Sequence, residues 1–468
     1  MTEDSNRSGL PRGAVAWAVF EGARNPYVIL VVIYIFAPYL ASVLIGDAVK
    51  GQELISRVST AYSFVVMATA PFLGAAVDNI GRRKGWLFLV VAAMVPLEFS
   101  LWWARPGGGG LGAAGALAVL ATLGVLFPYS EVLHNSLLVR AAGLRKAHTA
   151  SGLGQALGNT FALVSLSFCM WAFALPGTVD WSWVPKQPLF GLNQAAHEPE
   201  RIVGPISAVL FALGAIPLFL VTPDAPRTST PIGRAFTDGA RQIWRIIRNA
   251  SQHRDAVIFL TARMFYLDGM TAILIYAGVY ASGVMAWGPL QMLIYGILLT
   301  VLAVLGGFVG GWLDASIGAK RAVQLEIFMT ILGITGMLGM AKDKILYIHY
   351  DVAAHAPIWH GPFLTTLPEW AYIAIGFSNA IFITAHYASS RTLLTRLTPP
   401  DQTGLFFGAF ALSGTATLWL GSLLVTIGTH VFKTLQGGFG TILILLTIGF
   451  IGLLFVRGRG DLAPIAPG

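Results

Sequence analysis

The residues of this chain able to do chemistry are ionisable groups set inside otherwise apolar runs. Glu21 and Arg24 lie three residues apart on one helical face, in the segment Trp17-Ala18-Val19-Phe20-Glu21-Gly22-Ala23-Arg24-Asn25-Pro26-Tyr27. Glu131, His134 and Asn135 also share a face, a spacing that lets carboxylate and imidazole pass a proton between them. Arg263 and Asp268 are five residues apart, about 140° around a regular helix, so each needs a partner other than the other. Asn379 and His386 fall seven apart on one face of a later run, and Glu98 sits alone in another. Each charged group costs about 2.5–3.5 kcal/mol at the centre of a bilayer on insertion scales. It must therefore be neutralised by a neighbour or face a water-filled cavity. Two cation and carboxylate sets, Glu21 with Arg24 and Asp268 with Arg263, match the two ends of a zwitterion. Tyr27, Tyr266 and Tyr280 add hydroxyls and ring faces, and protonation of Glu131, His134, Asp268 or His386 would couple binding to a proton. Plain ion pairing and interhelical hydrogen bonding account for the same residues without any ligand.

The elements that carry these residues follow from composition. Hydrophobic residues make up 55% of the 468, charged residues only 11%, and the mean hydropathy is +0.69, too little polar surface for a soluble globule. Apolar runs of the roughly 20 residues needed to cross a bilayer recur, and the sequence predicts twelve: 14–44, 56–78, 84–104, 111–140, 149–175, 203–222, 255–284, 288–313, 320–341, 369–396, 403–430 and 437–457. The polar opening Met1–Arg12 leads directly into a full-length run, so no cleavable signal peptide is expected. Of the 30 Lys and Arg residues, twenty fall on the side of the N-terminus, eight on the other, and Arg24 and Arg263 within runs. That bias places both termini in the cytoplasm. The formal charge of +8 is then a topology signal; its dispersal among loops speaks against nucleic acid. Cys169, the single cysteine, excludes disulfides within the chain and Cys-based metal sites.

Between the second and third runs stands Gly74-Ala75-Ala76-Val77-Asp78-Asn79-Ile80-Gly81-Arg82-Arg83-Lys84, where Asp78 closes a helix, Gly81 permits reversal and three cations stay out of hydrocarbon. The pattern Gly-x-x-x-Asp-x-x-Gly-Arg-Arg-Lys resembles the loop between the second and third helices of the major facilitator superfamily. An echo follows in the second half, Gly310-Gly311-Trp312-Leu313-Asp314-Ala315-Ser316-Ile317-Gly318-Ala319-Lys320-Arg321, with one extra residue between Asp and Gly. The resemblance implies an all-α polytopic membrane protein of twelve transmembrane helices in two pseudo-symmetric six-helix bundles, with a central site near the midplane. It implies gating by Asp78, Gly81, Arg82 and Arg83 in one half and by Asp314 and Gly318 in the other; capping of the loop is the simpler role for the two aspartates.

Three further stretches are similar to the vacuole-effluxer branch of that superfamily, whose fungal members export amino acids from the vacuole. Phe20-Glu21-Gly22-Ala23-Arg24-Asn25-Pro26-Tyr27 resembles its Tyr-Asp-x-Ala-Asn-Ser-x-Tyr, and Tyr266-Leu267-Asp268-Gly269 its Tyr-Asn-Asp-Gly. Arg391 followed by Gly404-Leu405-Phe406-Phe407-Gly408 and Leu412-Ser413-Gly414 resembles its Arg…Gly-x-Phe-Phe-Gly…Leu-Ser-Gly run. Glu21 replaces Asp, Arg24 stands near an expected Asn, and Leu267 replaces Asn, changes that add a cation and remove an amide where a solute would bind.

The expected organisation is a tail (1–13), a first bundle (14–222), a linker (223–254), a second bundle (255–457) and a second tail (458–468). In the linker, Ile232, Phe236, Ile243, Ile246 and Ile247 fall on one arc of a helix, opposite Arg234, Arg241, Arg245 and Arg248. That pattern fits a helix lying on the inner leaflet. Loop histidines His349, His355 and His360 have no metal-cluster spacing, and His197-Glu198-Pro199-Glu200 lacks the second histidine of a zinc protease. No enzymatic activity and no cofactor are expected. The expectation is a monomeric transporter in the cell's inner membrane, moving an amino acid or similar small solute outward by alternating access with H+ as coupling ion. A sugar carrier or drug exporter of the same fold, or a membrane sensor without transport, fits the same sequence.

Overall fold

In the computed structural model, residues 10–80, 83–143, 147–224, 253–397, 409–410, 413–414 and 416–457 are described. Among them, nine helices are long and apolar enough to cross a membrane: α1 Arg12–Leu44, α3 Arg83–Trp103, α4 Gly112–Ala142, α5 Ala156–Ala174, α6 Glu198–Val221, α7 Arg254–Met285, α8 Pro289–Ile317, α9 Ala319–Leu338 and α12 Leu435–Leu454. Helix α5 begins earlier, at Ala147. Helices also occupy the other three apolar runs, as α2 Ala48–Ile80, α10 Leu367–Leu397 and the shorter α11 Leu418–Phe432. The outer surface is apolar: Phe88, Leu213, Leu220, Phe308, Trp312 and Leu332 all point outward, as in a molecule surrounded by hydrocarbon. The linker helix expected around 232–248 lies outside the described residues, as do Gly81 and Arg82.

Helix α1 is not uniform. Pro26 and Pro38 lack the N–H that an α-helix would use, and the backbone widens to π-helix over Tyr27–Tyr34 and Leu40–Leu44. Between α8 and α9 the chain turns at Gly318, whose φ of +85° suits glycine alone. A two-stranded hairpin, Lys344–Ile345 with Ile348–His349, closes the loop after α9.

Helix partners repeat with a shift of six. α1 packs on α5 and α6, α7 on α11 and α12; α2 packs on α4, α8 on α10; α3 packs on α4 and α6, α9 on α10 and α12. The same shift relates the contacts that join the two sets, α2 on α11 and α8 on α5. One end of the molecule collects Thr222 Oγ1 donating to the Gly13 carbonyl (3.1 Å), Lys84 Nζ to the Thr222 carbonyl (2.8 Å) and the Arg457 N–H to Asp255 (3.1 Å). Helices alternate in direction, so the start of α9, with Lys320 and Arg321, and the last turn of α10, with Arg396, fall at this basic end. The far end holds Tyr39 donating to the Ala104 carbonyl (2.6 Å) and Trp287 Nε1 donating to Glu369 (2.9 Å).

The two sets of helices meet along the far half. A polar seam runs down α2 and α11: Gln52 Nε2 donates to Thr429 (2.8 Å), Thr426 to Ser56 (2.8 Å) and Ser422 to Ser59 (2.9 Å). Phe64 stacks on Trp419 below it, with ring centroids 4.5 Å apart. Nearby, Gly278 of α7 lies against the Ile33 carbonyl, and Gly296 of α8 against the Tyr34 ring. Glycine at these points allows an approach closer than any side chain would.

Candidate functional site

The polar cluster of the first half is built on α1 and α4. Arg24 is buried, and its Nη2 donates to both oxygens of Glu21, at 3.1 and 2.9 Å. Its Nη1 donates to Ser130 Oγ (3.3 Å) and lies 3.9 Å from Glu131 Oε2, while the guanidinium sits 4.6 Å from the centre of the Phe127 ring. Glu131 keeps 51% of its side-chain surface accessible, unusual for a carboxylate halfway along an apolar helix. It also interacts electrostatically with Tyr387 of α10, in the opposite half. Glu21, Arg24, Asn25, Phe127, Gly154 and Gly158 line a cavity of about 60 Å³. Gly154 and Gly158 let α5 approach closely enough for Asn25 Nδ2 to donate to the Gly158 carbonyl at 2.6 Å.

His134 closes this cluster from behind. Its ring stacks on Trp17 (4.3 Å), whose Nε1 donates to the His134 carbonyl at 2.8 Å. His134 Nε2 lies 2.9 Å from the Trp17 carbonyl, and a carbonyl can only accept, so Nε2 carries a hydrogen. Nδ1 then stands 3.3 Å from Glu21 Oε2, within ion-pair range though not aligned as a hydrogen bond. With both groups deprotonated, two lone pairs would face each other there. A proton between imidazole and carboxylate would relieve that opposition.

The second half arranges its charges differently. Arg263 Nη1 donates to the Phe410 carbonyl and to Ser413 Oγ, both at 2.7 Å, with the guanidinium 3.4 Å over the Phe410 ring. Asp268 accepts the Gly421 N–H at 2.8 Å, in the first turn of α11, where helix ends leave N–H groups without partners and favour negative charge. Arg263 and Asp268 thus each engage the α11 region and do not pair with each other. Tyr266 shares a hydrogen bond with Ser390 (2.9 Å) and its Cβ side is covered by Gly449 of α12. His386 bonds the Ile383 carbonyl of its own helix at 2.5 Å and meets the Tyr266 ring edge-on. Tyr280 donates to the Met337 carbonyl (3.1 Å), and Tyr27 packs on Phe127 (5.5 Å). The two expected cation and carboxylate sets are therefore unlike: Glu21, Arg24, Glu131 and His134 come together beside a cavity, whereas Arg263, Asp268, Tyr266 and His386 are each satisfied by packing within their own half.

Of the expected gate residues, Arg83 donates to the Ser136 carbonyl, joining α3 to α4. Asp78 lies in the last turn of α2, with its side chain outside the described residues. Asp314 is buried, one oxygen lacks a hydrogen-bond partner, and its electrostatic neighbour is Glu326. Glu326 itself accepts from Ser389 of α10 (2.8 Å), where its place near Lys320 and Arg321 in sequence points to a salt bridge. Among the described residues no cluster of three or more His, Cys, Asp or Glu could hold a metal ion.

Sequence reasoning missed the α2 and α11 seam. Its signal was present: Gln52, Ser56 and Ser59 are spaced by four and three, and Ser422, Thr426 and Thr429 likewise, the spacing of one helical stripe.

A family profile described as "Vacuole effluxer Atg22 like" matches residues 55–460. Autophagy-related protein 22 of Yarrowia lipolytica is 25% identical over 229 residues, 48% of this chain and 36% of that protein. The Kluyveromyces lactis protein of the same name matches over 54% of this chain and 52% of its own length; the chain thus spans about a third to a half of these relatives. A triacylglyceride transporter of Mycolicibacterium smegmatis is 24% identical over 417 residues, 81% of this chain and 69% of that one. Among solved structures, the nucleoside transporter NupG superposes with a TM-score of 0.64 at 10% identity, covering 94% of this chain and 98% of NupG. A D-xylose–proton symporter gives 0.61 at 12%, covering 95% and 97%. The fold is that of the major facilitator transporters, and the chain belongs to the Atg22-like vacuole effluxer family.

Proposed function

We propose that this membrane transporter moves a small zwitterion, an amino acid or a close analogue, outward across the cell's inner membrane by proton-coupled alternating access. One observation carries the reading: Glu21 and Arg24 line a cavity, and the half-exposed Glu131, 3.9 Å from Arg24, interacts with Tyr387 of the opposite half. Arg24 would take the solute carboxylate and Glu131 the ammonium. Arrival of the carboxylate competes with Glu21 for the Arg24 fork, loosens Glu21 from His134 and frees the proton held there, which ties binding to proton movement. The bundles 14–222 and 255–457 would rock about the α2 and α11 seam, with 223–254 linking them, the termini in the cytoplasm and a single chain as the working unit. In this arrangement the basic end faces the cytoplasm and the conformation described is closed to the outside.

The test is counterflow in proteoliposomes containing purified protein, with labelled amino acids of each charge class. Saturable exchange of a zwitterion that Glu131→Gln reduces at least tenfold is the expected result. No exchange of any amino acid, by a protein that binds another solute, would overturn it. The Mycolicibacterium smegmatis relative, matched over 81% of this chain, favours lipid cargo as the second reading; triacylglycerol transfer between vesicles without amino-acid exchange would select it.

A further inference from the structure

At the far rim of the seam two side chains from opposite halves meet. Glu53, at the start of α2, places Oε1 2.9 Å from Nδ1 of His430, at the end of α11. Each also has a partner within its own half. Arg57 Nη2 lies 2.5 Å from the same Glu53 oxygen, four residues along α2. Lys433 Nζ lies 3.2 Å from the same His430 nitrogen, three residues beyond it. Arg57, His430 and Lys433 are the charges acting on Glu53. Asp47 and Lys50, in the turn ahead of α2, are joined to each other through the Lys50 N–H (2.9 Å).

One nitrogen cannot serve both neighbours. With a proton on Nδ1, His430 donates to Glu53 and the Lys433 ammonium is repelled. Without it, Nδ1 accepts from Lys433, and Glu53 is left with Arg57 alone. Protonation therefore exchanges the Lys433–His430 bond within one half for a bond between the halves, while Glu53 keeps Arg57 in both states, and only the bond between the halves depends on the far end being closed. We propose that Glu53, His430, Lys433 and Arg57 form a latch sensitive to the pH on the far side, which acidification fastens and alkalinity releases. The latch rests on the alternating-access reading: protons on the far side hold the transporter closed to that side, which slows its return to the open form.

His430 is more than half exposed, so the expected effect is modest, a two- to fivefold change in the ratio of far-closed to far-open molecules, roughly that of an exposed ion pair. The experiment places spin labels at Lys50→Cys and Lys342→Cys in a Cys169→Ser background and reads their distance distribution in proteoliposomes at pH 5.5 and 7.5. The far-closed population should rise on acidification in the otherwise unchanged protein and become insensitive to pH in His430→Gln and in Glu53→Gln. Lys433→Met should keep the closed population high at pH 7.5, because the competing donor is gone. If far-open molecules are present and their share does not follow pH, or if His430→Gln keeps the dependence, the latch is wrong and alternating access stands. If no far-open population appears under any condition, both fall.

Discussion

Replacing Gly278 with alanine tests whether the far end opens. A Cβ built on Gly278 of α7 would stand 1.6 Å from the Ile33 carbonyl oxygen of α1 and 2.7 Å from its carbon. Ordinary carbon–oxygen contact is about 3.5 Å, so the two backbones must separate by more than 1 Å, and neither can rotate aside as a side chain would. Overpacking of this kind costs about 1–3 kcal/mol, and the contact joins the two halves, so the cost falls on the far-closed state. That predicts a 5- to 150-fold shift toward the far-open state, with the helices themselves intact. Spin-label distances across the far end, in a Cys169→Ser background, read the shift directly. Gly307→Ala and Gly311→Ala on α8 are the controls, since added methyl groups there meet open space. If Gly278→Ala leaves distances and flux like those of the controls, the far-end contact is no gate and the rocking motion loses its support.

Arg24→Lys replaces a fork that reaches Glu21 and Ser130 with a single point charge; transport should fall at least tenfold with thermal stability nearly unchanged, measured as counterflow and melting temperature. Asp268→Asn keeps an acceptor for the Gly421 N–H, so the protein should fold while flux is lost or uncoupled from the proton gradient; unchanged pH-dependent flux removes Asp268 from the mechanism. Asp268→Ala strands that buried N–H and should cost about 1–3 kcal/mol in denaturant or thermal unfolding. Ser413→Ala removes one of the two acceptors of Arg263 Nη1 and should cost about 1 kcal/mol, read in the same unfolding assay.

Hydropathy made the helices legible because twenty apolar residues in lipid have few alternatives to helix. It could not show the π-helical widening over Tyr27–Tyr34, since one extra residue in a turn leaves an all-apolar run looking the same. Pairing of Glu21 with Arg24 was readable because the partners share a helix. The partners of Arg263 and Asp268 were not, because both lie near α11, some 150 residues along the chain, and spacing within one helix excludes a partner without naming another. Glu326 shows the same limit: nearness in sequence to Lys320 and Arg321 gave way to Ser389 of another helix.

The contrast between the two halves bears on which charges can respond to a solute. A buried charge with a full set of protein partners gains little from a ligand, because binding must first break what it replaces. Arg263 and Asp268 are in that position, each tied to the α11 region; if they act, they act by moving α11, the helix that carries the seam and His430. Arg24 is also paired, but its partner Glu21 has a second place to go, against His134, and Glu131 stands exposed at 3.9 Å. Away from the far rim, this cluster combines accessible surface, an exchangeable partner and a proton that the exchange would move. Glu98 makes the converse point: it is buried with neither carboxylate oxygen hydrogen-bonded, a place where an ionised carboxylate is costly. Glu98→Gln should therefore leave folding and flux alone, and a large loss of proton coupling in that variant would move the coupling site from Glu21 and His134 to Glu98.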